Sequence, residues 1–345
     1  MPRELVAIAP RQPVLREYTE PPLGPAQVRI RAEFSAPKHG TELHIYRGIS
    51  PFQTKDFDMD YHALVPKKES GKTPFPLPLG NMSIGVITEI GPDVRRFRVG
   101  DRVFGHLPAR ETYTVAAERV ELVPPGLSRE DVVCQDPAHF ALAAVRDANV
   151  RIGERVAVFG LGAIGLLVVQ LAKLSGAKWI AAVDPVAPRR ELAKRFGADE
   201  TLDPTACDAG LEIKKLTGKR GVDVAIEASA SYHGLQAAMR ATHYSGLVVA
   251  LAYYQGEGAG LRLGEEWHHN RLTLISSMPV WGNPSRDYPM WDFPRLEATV
   301  LELTQQKKIR TSELITPVVP FEKSAEAYRD IDEHPDHCIK MGITY

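Results

Sequence analysis

The sequence has 345 residues, more than a single hydrophobic core usually organises, so we expect two domains. Its apolar fraction of 44%, charged fraction of 25% and net charge of −1 are ordinary for a globular protein, and they exclude the basic surface of a nucleic-acid-binding protein. The longest apolar run, around residues 160–174, contains several glycines and fits a buried turn and helix better than a membrane span. We therefore expect neither a nucleic acid nor a membrane as partner.

The cysteines and the N-terminus indicate the compartment. Cys134, Cys207 and Cys338 are far apart in sequence, which excludes a disulfide framework and a Cys-x-x-Cys zinc lobe. The first residues lack the charged region, apolar core and cleavage site of a signal peptide. Together these features predict a protein of the reduced cytoplasm.

Short β segments fill the first 135 residues. Residues 27–33 and 84–90 alternate apolar and polar side chains, as half-buried strands do, and Gly91 and Gly100 mark turns after such strands. Frequent turns between short strands predict a barrel-like, all-β unit. Residues 53–73 form a polar, lysine-bearing insertion, which is either a lid that selects substrate or a flexible excursion.

Strands alternate with helices from residue 136 onward. This alternation favours a parallel, doubly wound α/β sheet. The predicted strands are residues 155–159, 179–183, 222–227, 247–251 and 272–275, and the predicted helices are residues 138–148, 189–196, 211–216 and 234–241, with one more that ends at residue 174. After a loop rich in aromatic residues and proline at 281–292, the pattern predicts a helix at 294–307, a strand at 314–319 and a helix at 324–333.

A dinucleotide-binding fingerprint lies at the first strand–helix junction of this α/β part. It reads Gly160-Leu161-Gly162-Ala163-Ile164-Gly165. The first glycine permits a tight turn, the second lets the backbone approach a pyrophosphate, and the third allows close contact of helix and strand. The N-terminus of the following helix presents free N–H groups and a positive dipole end to the phosphates. The pattern therefore predicts NAD or NADP as cofactor.

Asp184 favours NAD over NADP. It ends the second strand of this unit, about 20 residues after the glycines, as in fingerprints whose carboxylate binds the adenosine ribose. A carboxylate there accepts hydrogen bonds from the ribose hydroxyls and repels a 2′-phosphate. Arg189 and Arg190 follow closely and would weaken this choice if they reached the ribose, although we expect them on a solvated helix face.

These motifs together resemble the medium-chain dehydrogenase/reductase superfamily, particularly its zinc-type alcohol and polyol dehydrogenase branch. The similarity also runs through Gly80–Gly91, Asp136-Pro137 and the ending of the chain. It implies an α/β protein with a GroES-like β-barrel catalytic domain, residues 1–135 and 280–345, and a Rossmann domain inserted at residues 136–279. It further implies a homodimer or homotetramer that acts on a small molecule.

The zinc-ligand positions of this branch are only partly matched. Where such enzymes carry C-G-[ST]-D-x-H this chain has His39-Gly-Thr41-Glu-Leu-His44, and where they carry G-H-E it has Gly80-Asn81-Met82. Their glutamate before a proline corresponds to Asp136. Asparagine is a poor zinc ligand, since zinc prefers thiolate, imidazole or carboxylate. Three interpretations stay open: zinc is lost and side chains replace it, a weak metal site uses His39 and Asp136, or these residues only fill space.

A reaction without zinc needs hydrogen-bond donors at the substrate oxygen. We predict that Thr41 contacts this oxygen, that His39 or Lys38 is the acid/base, and that Asp136 orients or charges it. His44 matches the family position that relays a proton to solvent, a role that suits a histidine near neutral pH. Alternatively, Lys38 is a surface lysine and His44 a structural histidine.

The resemblance implies oxidation of a secondary alcohol or reduction of a ketone, on a sugar, cyclitol or other polar molecule. Two rival functions are a zinc-free reductase of quinones or enones, which the preference of Asp184 for NAD disfavours, and a non-catalytic NAD(H)-binding protein. His268 and His269 point apart on most backbones and are not expected to share a metal. An aromatic set is expected to pack or, if it lines the active site, to stack on a sugar: Tyr253, Tyr254, Trp281, Tyr288 and Trp291.

Overall fold

A computed structural model describes residues 1–67, 74–279, 288 and 290–345. The strands of this part are β1 (Arg3–Ala7), β2 (Pro13–Glu17), β3 (Gln27–Ala36), β4 (Lys55–Asp58), β5 (Ala63–Pro66), β6 (Leu77–Pro78), β7 (Met82–Ile90), β8 (Arg102–Gly105), β9 (Thr112–Ala116), β10 (Glu121–Leu122), β11 (Arg155–Phe159), β12 (Trp179–Val183), β13 (Glu200–Leu202), β14 (Val222–Glu227), β15 (Thr242–Ala250), β16 (Thr273–Ser276), β17 (Ile315–Pro320) and β18 (Lys340–Thr344). The α-helices are α1 (His39–Tyr46), α2 (Arg129–Val133), α3 (Gln135–Asp147), α4 (Ala163–Leu174), α5 (Ala187–Arg195), α6 (Ala209–Leu216), α7 (Tyr232–Ala241), α8 (Glu266–His269), α9 (Phe293–Gln305) and α10 (Ser324–Glu333).

The first compact unit contains Met1–Val133 and Ile315–Tyr345. Its main sheet has the order β10-β8-β7-β3-β18-β17, with β9 also paired to β3. Strand β18 runs antiparallel to β3 and parallel to β17, so the two ends of the chain share one sheet. A smaller sheet, β2-β1-β6, lies in the same unit. This is the β-barrel unit that the short strands predicted.

The second compact unit, Cys134–Leu314, contains a six-stranded parallel sheet. The strand order is β13-β12-β11-β14-β15-β16. Strands β12 and β13 are added on one side of β11 and strands β14–β16 on the other, so the order of addition reverses between β11 and β14. Helices α6 and α7 bury apolar side chains, among them Ile213, Leu235 and Met239, against one face of the sheet. Ligands of doubly wound sheets bind beyond the carboxyl ends of the strands at such a reversal. The predicted fold class, a GroES-like barrel with a Rossmann sheet, is confirmed.

The second compact unit begins at Cys134 and ends at Leu314, and the domain boundaries near residues 135 and 280 stay a prediction. This unit includes α9, which packs against α3. The Gln135 amide nitrogen donates to the buried Thr304 hydroxyl over 3.2 Å, and this contact joins residues 169 positions apart.

Several helices begin earlier than their apolar periodicity predicts. Helix α6 begins at Ala209 and α7 at Tyr232, whereas the predicted starts were residues 211 and 234. The cause is N-capping: the Asp208 carboxylate accepts the N–H of Leu211, and the Ser231 hydroxyl accepts that of Gly234. The residues between the cap and the first apolar position are thus helical, although they carry no apolar signal.

The predicted insertion at residues 53–73 contains an antiparallel hairpin of β4 and β5. Its turn is closed by the Asp58 carboxylate, which accepts the N–H groups of Asp60 and Tyr61 over 2.9 and 3.0 Å. Residues 68–73 lie outside the described part, as does Trp281 of the aromatic set. Among the helices of the described residues, none has the length and apolar character that crossing a membrane requires.

Replacing Leu296 tests the packing of α9 in the second unit. Leu296 is buried on α9, so Leu296→Ala should lower the free energy of unfolding by about 2–5 kcal/mol. Urea unfolding measures this loss, and hydrogen exchange should accelerate in β11–β16 but not in β3 or β18. Gln305→Ala, at an exposed position of the same helix, is the control. Faster exchange confined to the barrel strands would contradict the assignment of α9.

Candidate active site

The glycine-rich turn after β11 is shaped by glycines at two points of close approach. Gly160 has a φ of +87°, and a Cβ there would lie 2.6 Å from the Ser229 nitrogen. A Cβ on Gly165 would overlap the carbonyl oxygen of Gly160. At Gly162, the N-cap of α4, a Cβ would meet no described atom within 4 Å. The turn is therefore packed on its inner side and open at Gly162, where the backbone can approach a pyrophosphate.

Asp184 links the ends of two neighbouring strands. Its side chain is buried, and its two carboxylate oxygens accept the N–H groups of Leu161 and Val186 over 2.7 and 2.8 Å. The expectation that Arg189 and Arg190 face solvent was wrong, since their side chains are only 17% and 19% exposed. The Arg189 guanidinium lies 3.8 Å from the Asp184 carboxylate, and Arg190 donates to the Asp184 carbonyl oxygen over 2.7 Å.

An open cavity of about 530 Å³ lies beside this turn, within the second unit. Its volume falls in the range of small-molecule and cofactor sites. Its lining includes Gly160 of the turn and Asp184, the residue predicted to bind the ribose. Other residues of its lining are Pro185, Thr205, Ser229, His233 and Gln236.

Glu227, which ends β14, supports the glycine-rich turn, a role that the sequence reasoning missed. Its fully buried carboxylate accepts the backbone N–H of Ser229 over 2.8 Å, and it also accepts the hydroxyls of Ser229 and Tyr254. Burial raises the pKa of the Glu227 carboxyl, although these donors oppose the shift. Glu227 thereby holds Ser229 against Gly160. The available signal was an acidic residue at the end of a largely buried strand.

Helix α1 of the first unit carries four of the predicted catalytic residues. Lys38 is its N-cap, His39 its first residue, Thr41 is exposed, and His44 lies in its last turn. The Nδ1 atom of His39 lies 3.9 Å from the Cys338 sulfur. Burial, and secondarily Arg47, lowers the pKa of His44, so this imidazole is neutral at neutral pH. The helix therefore brings together the residues predicted to act at the substrate oxygen and in the proton relay.

Glu42 lies on the same helix, between Thr41 and His44, and its carboxylate is enclosed by hydrogen-bond donors. Its carboxylate accepts the N–H of Lys38 over 2.6 Å, the N–H of Gly80 over 2.9 Å and the Tyr328 hydroxyl over 3.2 Å. Burial raises the pKa of the Glu42 carboxyl, while the two backbone donors and the charge of Lys340 act in the opposite direction.

Asn81 stands where zinc enzymes of the resembled branch have a histidine ligand. Its backbone N–H donates to Ala36, whereas its side-chain nitrogen is buried without a hydrogen-bond partner in the described part of the chain. A buried donor without a partner destabilises a fold by about 1–3 kcal/mol. Across residues 1–67, 74–279, 288 and 290–345, no three His, Cys, Asp or Glu side chains are grouped to hold a metal. A set with an amide at this position does not fit zinc.

Asp136 lies in the second unit, in the first turn of α3, and is buried. Sequence reasoning missed His139, one turn later on the same helix, although the Asp-x-x-His spacing places both on one face. His139 is buried, and its ring contacts that of Phe293 with centroids 5.6 Å apart. Asp136 and His139 thus lie one turn apart on α3, separate in the chain from the residues of α1.

The adjacent histidines and the members of the aromatic set described next contact other side chains of the protein. The rings of His268 and His269 are nearly perpendicular, and both residues are exposed. Tyr254 packs against Tyr232 with ring centroids 5.2 Å apart. The Trp291 ring is stacked by two guanidinium groups, those of Arg146 at 3.5 Å and Arg295 at 4.2 Å.

Comparisons with known proteins agree with this architecture. Residues 24–135 match the alcohol dehydrogenase GroES-like domain family, and residues 163–293 match the zinc-binding dehydrogenase family. The chain is 42% identical over 354 residues to a D-guloside 3-dehydrogenase of Escherichia coli K12, covering 99% of this chain and 100% of that protein.

Two solved structures share the fold. 2R,3R-butanediol dehydrogenase from Bacillus subtilis superposes with a TM-score of 0.76 at 23% identity, covering 100% of both chains. A putative zinc-binding dehydrogenase from Sinorhizobium meliloti 1021, bound to NADP, gives 0.76 at 20% identity and covers 100% of this chain and 99% of its own.

Two glycine replacements should separate ligand approach from packing. Gly162→Ala leaves the fold unstrained because the space is open, but its methyl group stands where the pyrophosphate approaches, so the Kd for NADH should rise at least ~10-fold with Tm unchanged. Gly165→Ala overlaps Gly160 and should lower Tm as well. NADH fluorescence titration and calorimetry measure the two effects. Unchanged NADH affinity in Gly162→Ala would place the cofactor elsewhere.

Proposed function

This chain belongs to the zinc-type alcohol and polyol dehydrogenase-like branch of the medium-chain dehydrogenase/reductase superfamily, and we propose that it transfers a hydride between NAD(H) and a ring hydroxyl or ketone of a sugar or glycoside. The observation that carries the proposal is the turn at Gly160–Gly165, open at Gly162 and followed by Asp184. The sugar assignment follows from the D-guloside 3-dehydrogenase, to which this chain is 42% identical. We also propose a cytoplasmic homodimer or homotetramer, as the family resemblance implies.

NAD is proposed over NADP because of the charge at the ribose position. The Asp184 carboxylate is buried and accepts two backbone N–H groups. A 2′-phosphate beside it would meet a negative charge. Arg189 lies 3.8 Å from this carboxylate and offsets part of that charge, so the predicted preference is moderate rather than absolute.

The reaction requires a hydride acceptor and a proton acceptor. NAD⁺, when bound, takes the hydride from the carbon that bears the hydroxyl. The hydroxyl proton leaves to a base on the protein, so the products are a ketone, NADH and a proton. Because the residues at the zinc positions do not fit zinc, the charge that develops on the oxygen is assigned to hydrogen-bond donors.

The proposed roles follow the chemistry of α1. Thr41 contacts the substrate hydroxyl, and His39, or Lys38 in its place, removes its proton. His44 is neutral because burial lowers its pKa, so it can accept a proton and pass it to solvent. Asp136 is proposed to orient or charge the acid/base residue.

A substrate panel tests the proposed function. Purified protein, assayed with and without a zinc chelator, should reduce NAD⁺ with D-gulosides or related hexosides, at least ~10-fold better than NADP⁺ in kcat/KM, and the chelator should not change the rate. The same panel contains a quinone and an enone with NADPH. Faster reduction of those compounds, or activity restored only by one equivalent of zinc, would contradict the proposal.

The role of His39 is tested separately. His39→Ala should lower kcat by at least ~100-fold, the typical contribution of a general acid/base, while the Kd for NADH stays unchanged. His106→Ala, at an exposed position of the same unit, is the matched control. If His39→Ala kept near-normal turnover, Lys38 would take the role of base.

A further inference from the structure

We propose that Glu42 is the positioning residue of the reaction centre, holding the backbone of the His39 segment and that of the Asn81 segment at a fixed separation. The inference rests on the proposed function, because it concerns how the predicted centre is assembled. It goes beyond that function because Glu42 itself contacts neither substrate nor cofactor in this scheme.

The carboxylate bridges two backbone segments. One oxygen accepts the N–H of Lys38 over 2.6 Å, and the other accepts the N–H of Gly80 over 2.9 Å. Each donor belongs to the residue directly before one that occupies a zinc-ligand position of the family, His39 in one segment and Asn81 in the other. The Glu42 side chain therefore links the two segments, in addition to the backbone bond from the Asn81 N–H to the Ala36 carbonyl oxygen.

The carboxylate is itself held from the other end of the chain. The buried Tyr328 hydroxyl of α10 donates to it over 3.2 Å. The buried Lys340 ammonium donates to the Pro37 carbonyl oxygen over 2.8 Å, at the residue before Lys38. The Glu42 carboxylate therefore accepts hydrogen bonds from two backbone N–H groups and one buried hydroxyl. Lys340 in addition holds the backbone just before Lys38.

The Gly80 segment has little freedom to adapt without this contact. Gly80 has a φ of +106°, and a Cβ at that position would overlap the Ala109 backbone nitrogen. The turn is held against the chain at Ala109 and is paired to the end of β3 through Asn81 and Ala36, and the Glu42 carboxylate links this fixed turn to the start of α1. Losing the Glu42 link should displace Lys38 and His39 from the turn and slow the chemical step, because a misplacement of about 1 Å can lower a rate 10²-fold.

Two conservative substitutions remove the bridge in different ways. Glu42→Gln keeps the length of the side chain, but its amide nitrogen cannot accept an N–H, so one of the two backbone contacts is lost. Glu42→Asp keeps the charge, but it is one methylene shorter and cannot reach both donors. Glu33→Gln is the matched control. Glu33 lies on β3 of the same unit, and its carboxylate accepts a hydrogen bond from the Arg102 side chain.

Single-turnover kinetics separates positioning from loss of folded protein. Enzyme in excess over a methyl D-guloside, or over the best hexoside of the panel, is mixed with NAD⁺, and NADH formation is followed by absorbance. The first-order rate constant should fall at least ~10-fold in both Glu42 variants and stay unchanged in Glu33→Gln. The amplitude and the Kd for NADH should not change, because the dinucleotide residues lie in the other unit.

The outcomes are distinct. A wild-type rate constant in either Glu42 variant overturns the proposal, even if the amplitude falls, because a reduced amplitude alone reports unfolded enzyme. If the wild-type protein forms no NADH with any hexoside of the panel, the proposed function is overturned, and the role of Glu42 with it. Wild-type activity together with slowed Glu42 variants at full amplitude supports both.

Discussion

Helix α4 can begin directly against the end of β11 only because residue 165 has no side chain. A Cβ there would overlap the Gly160 carbonyl oxygen, and Gly160 in turn leaves no room for a Cβ beside Ser229. Because Gly165 lies close to Gly160 and Gly160 lies close to Ser229, the turn is packed between α4 and the end of β14, where the strand order reverses. The same compression leaves the outer side of the turn, at Gly162, free for a ligand.

Buried carboxylates fix the loops in both units. Asp184 accepts an N–H from the turn after β11 and another from the turn after β12. Glu227 joins Ser229 to Tyr254, and Glu42 joins the start of α1 to the Gly80 turn. Burying a carboxylate is unfavourable unless donors surround it, so each of these groups requires its loops to stay in place. In each unit, hydrogen bonds to these carboxylates therefore hold the loops together in addition to the apolar packing.

Local patterns predicted the parts of the molecule that depend on neighbouring residues. The glycine fingerprint and the alternation of strands and helices predicted the parallel sheet, because backbone freedom and periodicity are visible in a short window. Contacts distant in sequence were not predictable in this way. The packing of α9 depends on a bond between Gln135 and Thr304, and the role of Glu42 depends on donors at residues 38, 80 and 328. Arg189 was misplaced because its orientation is set by Asp184, not by its helix alone.

The barrel unit is assembled from two stretches of sequence that the whole second unit separates. On a ribosome, β3 and α1 emerge long before two of their partners exist, since Tyr328 follows Glu42 by 286 positions and β18 pairs with β3. The unit with the glycine turn emerges as one continuous stretch and can fold while synthesis continues. The contacts of Glu42 on α1 therefore stay incomplete in the nascent chain until the second unit and Tyr328 have been synthesised.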